Sequence, residues 1–123
     1  ITDVKSLGNV HKLDLGGCDN ITDVKPLKNV YDLDLSYCDN IRDISTLRSV
    51  NVLNLWNCKK IKDIGNLRNV KELSLSKEIN GIHLLKKLKI LKISKNYNKK
   101  IEQEAKKLKE INKKVEINIY NDW

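Results

Sequence analysis

The sequence predicts an α/β solenoid: a stack of short coils, one strand per coil, closed at its C-terminal end by a helix–strand unit. Three observations predict it. Residues 1–20 read ITDVKSLGNVHKLDLGGCDN and residues 21–40 read ITDVKPLKNVYDLDLSYCDN, identical at fourteen positions, and the frame continues as IRDISTLRSVNVLNLWNCKK (41–60) and IKDIGNLRNVKELSLSKEIN (61–80). A leucine pair with one residue between its members recurs in every copy, as Leu13/Leu15, Leu33/Leu35, Leu53/Leu55 and Leu73/Leu75, then as Leu91/Ile93. Residues 101–114 switch to the spacing of an amphipathic helix. A coil this short cannot bury its own apolar side chains, so each must be covered by the next.

Within one coil, Leu33-Asp34-Leu35 alternates with period two, which makes it a short strand with both leucines inward. After Cys38 the apolar spacing becomes three, through Ile41, Ile44, Leu47 and Val50. That spacing suits a tight turn or 3₁₀ segment, in which residues three apart eclipse. Asp3, Asp23, Asp43 and Asp63 stand just before these segments, where a carboxylate can accept backbone N–H bonds. Pro26 is tolerated in such a first turn. Asn9, Asn29 and Asn69 recur before the strand, where Asn bonds turn backbone. Calcium would need six or more converging oxygens, and stacked coils supply one Asp carboxylate per layer.

The array then departs from its frame. Leu75 to Ile93 spans 18 residues, with Ile79, Ile82 and Leu85 in the roles of Ile61, Ile64 and Leu67. Ile101, Ala105, Leu108 and Ile111 share one face of a helix. VEINIY (115–120) alternates as a last strand with Val115, Ile117 and Ile119 inward. The organisation read from this is a repeat array over 1–98 and a capping helix and strand over 99–123, in one domain. No matching cap precedes Ile1, so the chain reads as a piece of a longer array.

The frame LxLxxCxxIxDVxxLxxVxxL resembles a leucine-rich repeat. Its "CDNITD" stretch is similar to the cysteine-containing class of that family, and its "DVxPLxNV" half to the internalin-like and protein-phosphatase-regulator-like classes. With its abundance of Asn, Ile and Lys, the chain also resembles repeat proteins of large DNA viruses and protists. The resemblance implies a right-handed solenoid with a concave parallel β-sheet and convex 3₁₀ or turn segments, whose members mostly bind other proteins.

Cys18, Cys38 and Cys58 recur once per coil at one position. Three thiols in a row fit a core ladder better than a tetrahedral zinc site, which needs four converging ligands, and free thiols point to a reducing, cytoplasmic setting. His11 and His83 are the only histidines, and His11 shares a column with Tyr31, Asn51 and Lys71, as a surface position. No phosphate loop, zinc-protease motif or nucleophile–base pair is present. The expectation is a non-catalytic chain without cofactor or metal, monomeric, and with no apolar run near the length of a membrane span.

The repeats differ where they face outward. The columns flanking the strand leucines read Lys12, Asp32, Val52, Glu72; Asp14, Asp34, Asn54, Ser74; Gly16, Ser36, Trp56, Ser76; and Gly17, Tyr37, Asn57, Lys77. A constant framework with a varying face is what a binding scaffold needs. Trp56 stands where its equivalents are Gly or Ser, flanked by Tyr37 and Tyr31, and aromatic residues dominate interface hot spots. Trp56, Tyr37, Asp34, Asp32, Asn54 and Glu72 are the candidate partner-binding residues, for a protein partner with basic groups. Two other roles remain open. The net charge of +8 falls wholly in residues 61–123, so the lysines of 86–114, from Lys86 to Lys114, could bind nucleic acid or an anionic membrane. Alternatively, the array is a structural spacer.

Overall fold

The computed structural model describes residues 4, 7–65, 67–76, 79, 81–94 and 99–120, and the side chains of all of these except 99–102. Six strands, β1 (Lys12–Asp14), β2 (Asp32–Asp34), β3 (Val52–Asn54), β4 (Glu72–Leu75), β5 (Ile90–Ser94) and β6 (Glu116–Tyr120), form one parallel sheet in sequence order. The register repeats with the frame: Leu13 lies beside Leu33, Leu33 beside Leu53, and Leu53 beside Leu73. Leu73 then pairs with Leu91, which confirms the shortened coil, and Leu91 pairs with Ile117 across the longer connection that holds helix α1 (Lys99–Ile111). The resulting solenoid buries one continuous column of side chains from Val4 to Val115.

Backbone bonds between coils hold the stack. The amides of Leu15, Leu35 and Leu55 donate to the carbonyls of Asp34, Asn54 and Ser74 on the next coil, at 2.8, 2.9 and 2.9 Å. Each strand is only a few residues long, so these bonds and the shared core must supply what a single coil lacks. The segments of spacing three form as expected, and Lys25–Leu27, with Pro26 presetting its backbone, and Ile82–Leu84 extend to 3₁₀ helices. In the intervening coils a single bond closes the turn, from Leu47 N–H to the Ile44 carbonyl and from Leu67 N–H to the Ile64 carbonyl. Ile79, Ile82 and Leu85 are buried in the roles expected of them.

The Asp column does accept backbone N–H bonds, in Asx turns two residues on. Asp23, Asp43 and Asp63 Oδ1 accept from the amides of Lys25, Ser45 and Gly65 at 2.9, 2.9 and 2.8 Å. The bond from Ser45 holds the Asp43 carboxyl below its usual range. Asp3 lies outside the described residues. The Cys column is a core ladder at Cys38 and Cys58, whereas Cys18 is only half-buried against the core. Cys38 and Cys58 are fully buried and free, and their Sγ atoms donate to the carbonyls of Leu15 and Leu35 one coil back, at 3.1 and 2.9 Å. Burial pushes the Cys38 thiol up and the Cys58 thiol up to about 12, so neither offers a thiolate near neutral pH.

The C-terminal unit corrects two inward assignments. Ala105, Leu108 and Val115 are buried as expected, but Ile111 is 53% exposed. It ends the helix, and Asn112 takes the inner place, its side-chain amide donating to the Lys86 and Leu88 carbonyls. Ile119 is 56% exposed although its register partner Ile93 is 1% exposed, because β6 is the edge strand and nothing described stacks beyond it. Ile101 lies outside the described side chains. Helix α1 packs against the Ile82–Leu84 turn, where His83 Nδ1 meets Glu104 Oε2 at 2.7 Å and Lys107 Nζ lies 3.7 Å from the other carboxylate oxygen. Burial alone would raise the Glu104 pKa, but the His83 bond and the nearby charges outweigh it and hold it low.

The short coil requires glycine at one contact. Gly81 has φ +96° and is buried, and a β-carbon there would stand 2.6 Å from the Gly65 nitrogen and 2.8 Å from its α-carbon. Gly17 has φ +77° but open space around it. Gly81→Ala is therefore expected to cost well over the roughly 1–2 kcal/mol that left-handed geometry alone costs an alanine, and Gly17→Ala about that much, in urea unfolding of the two variants. Because the folded Glu104 pKa is depressed, its contribution is complete above the usual Glu pKa of about 4.3 and is lost as pH falls through the lower folded value. Melting temperatures measured from pH 7 downward should show Glu104→Gln falling less steeply than the parent in acid.

Candidate functional site

The outward face of the sheet is built by the residues between and beside the inward leucines. Lys12 and Asp32, register partners on β1 and β2, lie 4.0 Å apart, and Glu72 Oε1 meets Lys92 Nζ at 2.7 Å. The Glu72 bond holds the Lys92 ammonium above its ordinary range. Two of the acidic candidates are thus matched by lysines on neighbouring strands, which tempers the acidic character read from the sequence. Asp34 and Asn54 also have local work. With Asp14 they form a second Asx column, their Oδ1 atoms accepting from the amides of Gly16, Ser36 and Trp56 at 2.8, 2.8 and 2.9 Å. This bond turns the chain at the strand end and fixes the backbone that carries Trp56.

Trp56 is half-buried on the outward face and is not a member of the leucine core. Tyr37 adjoins it: the Tyr37 amide donates to the Trp56 carbonyl at 2.8 Å, as the Gly17 amide does to Ser36. Tyr37 is 52% exposed and has φ +60°. Its equivalents Gly17 (φ +77°) and Asn57 (φ +56°) show that this column is left-handed in every coil where it is described. Gly and Asn are the residues that visit this region most cheaply, whereas a tyrosine there stores roughly 1–2 kcal/mol. The strain was missed in the sequence, although a column reading Gly, Tyr, Asn was its signal.

The structure separates Tyr31 from this pair. Tyr31 precedes β2 while Tyr37 follows it, and the Tyr31 ring stacks on His11 with centroids 4.8 Å apart and planes 11° from parallel. His11 is exposed, as expected, with this stack as its setting. Trp56 and Tyr37 thus lie at one strand end, joined through their backbones, and Tyr31 stacks with His11 at the other.

The lysine-rich segment is less free than its composition suggests. Lys92 pairs with Glu72, Lys107 approaches Glu104, and Lys109 Nζ donates to the Val115 carbonyl. Lys86, Lys87, Lys89, Lys113 and Lys114 are exposed. Lys77, Lys95 and Tyr97 lie outside the described residues, as do the side chains of Lys99 and Lys100. Among the described residues no three His, Cys, Asp or Glu side chains converge as a metal site, and no helix is long and apolar enough to cross a membrane.

This geometry defines a leucine-rich-repeat solenoid. No family model and no curated protein matches the sequence, but solved structures match the fold. One is internalin C2 of Listeria monocytogenes, with a TM-score of 0.59 and 22% identity, covering 98% of this chain and 60% of that one. Another is a leucine-rich-repeat protein of Leptospira interrogans, with a TM-score of 0.64 and 24% identity, covering 97% and 34%. The chain thus spans 60% of the first neighbour's length and 34% of the second's.

Proposed function

We propose that the chain is a non-catalytic protein-interaction module that engages a partner on the outward face of its sheet, with Trp56 and Tyr37 as the anchor. The observation that carries this reading is Tyr37, an exposed aromatic held in a backbone conformation that suits Gly or Asn. Strain kept at a surface position has a use more often in binding than in folding. The backbone that carries Trp56 beside it is fixed by the Asn54 turn, so both aromatic residues are presented from a set strand-end backbone. Asp32, Asp34, Asn54 and Glu72 form the polar surround, and their lysine pairings and turn bonds set their positions in advance.

Tyr37→Asn and Trp56→Ala separate this role from folding. Tyr37→Asn relieves the left-handed strain and should unfold at the same urea concentration as the parent or higher. Both variants should lose at least about tenfold in affinity for any partner captured by the parent protein, the loss of one hot-spot side chain. Capture unchanged in both variants would remove the sheet face from the function.

A further inference from the structure

The turns that lead into the strands carry a row of cations that the sheet face does not use. In each coil one residue follows the buried leucine that closes the turn, and from the second coil onward it is Lys28, Arg48, Arg68 and Lys86, all exposed. The turns are alike: the amides of Leu27, Leu47, Leu67 and Leu85 donate to the carbonyls of Val24, Ile44, Ile64 and Ile82 at 2.9, 3.0, 3.1 and 3.1 Å. The four charges therefore occupy one position in successive coils, including the shortened one. Coils stack about 4.8 Å apart at the sheet, inside a Debye length of about 8 Å, so the charges share one positive potential and repel one another.

None of the four forms an ion pair with a described residue, and Arg48 Nε donates to the Ser45 carbonyl of its own turn. At the Lys86 end the row runs into a concavity of about 490 Å³ lined, among the described residues, by Gly65, Arg68, Leu84, Lys86 and Lys87, none of them acidic. Lys87 Nζ is steadied by Asn69 Oδ1 at 3.1 Å. Leu84 is 52% exposed and gives this cationic hollow an apolar wall.

We propose that this row binds an extended acidic polypeptide segment. Its carboxylates would pair with Lys28, Arg48, Arg68 and Lys86, and an aliphatic side chain of the segment would seat against Leu84. An extended peptide sets the side chains of one face roughly 6.6–6.8 Å apart, within reach of long cationic side chains on successive coils. Nucleic acid fits less well, because the row has no aromatic side chain on which a base could stack. An anionic membrane fits less well too, because the row offers a single apolar side chain, Leu84, where surface association needs a broad apolar face. The site lies apart from the strand ends that carry Trp56 and Tyr37, so it stands independently of the sheet-face reading.

Fluorescence anisotropy with a labelled peptide of alternating Glu and Ser carrying one Leu tests the proposal. A Leu-free peptide, a single-stranded oligonucleotide of equal charge and phosphatidylserine vesicles serve as comparators. The parent protein should bind the Leu peptide most tightly, and added salt should weaken it. The double variant Arg68→Glu/Lys86→Glu, checked by circular dichroism for an unchanged fold, should lose about tenfold or more. Leu84→Ser should abolish the advantage of the Leu peptide over the Leu-free one. Trp56→Ala should leave all of these affinities as they were, which separates this site from the sheet face. No binding by the parent, undiminished binding by the double variant, or tighter binding of the oligonucleotide or vesicles would overturn the proposal.

Discussion

The structure depends on one constraint: the leucine pair of every coil must lie in register with the pair of the next. A coil of twenty residues has two faces of its core open, and only a neighbour whose apolar side chains fall at the same positions closes them. The parallel ladder enforces this register, with Leu13, Leu33, Leu53, Leu73 and Leu91 side by side. A slip of a single residue would turn every leucine outward. The Cys ladder follows from the same constraint. A thiol at a fixed place in each coil can reach back to the strand-end carbonyl of the preceding one, as Cys38 and Cys58 do, satisfying a buried oxygen with a small apolar residue.

With its interior and turn chemistry held constant, the solenoid leaves its outward positions free to differ. Two surfaces result, made by different means. On the sheet face successive coils differ, and the sharpest difference is Trp56 with Tyr37. On the turns successive coils agree in charge but not in residue, with Lys28, Arg48, Arg68 and Lys86 in one exposed row. The first surface suits a shaped, partly apolar epitope, and the second suits a linear, acidic one.

Much of the fold was legible because the period of the sequence is the period of the structure. The strands, the Asp turn caps, the burial of Cys38 and Cys58, the shortened coil and the closing helix and strand all follow from spacing alone. Spacing fails where an end or a neighbouring backbone decides. Ile111 and Ile119 match the apolar pattern, yet one ends a helix and the other lies on an edge strand, so neither is covered. The close approach of Gly65 and Gly81 depends on how an 18-residue coil packs against a 20-residue one, which no single repeat reveals. At the candidate site the outward placement of Trp56 and Tyr37 was readable. The left-handed backbone under Tyr37, the turn bonds of Asp34 and Asn54, and the lysine partners of Asp32 and Glu72 needed coordinates. The cationic row was present in the sequence as one column of the frame, but half of it hides among the differences between repeats.

Amide hydrogen exchange followed by NMR tests the central claim most directly. The amides of Leu15, Leu35 and Leu55 each donate to a carbonyl one coil further along. If the coils form a single cooperative stack, these amides should exchange slowly and with protection close to the global unfolding free energy, as part of one unit with β5. Fast exchange at Leu35 and Leu55, with protection confined to helix α1, would contradict the stack and everything built upon it.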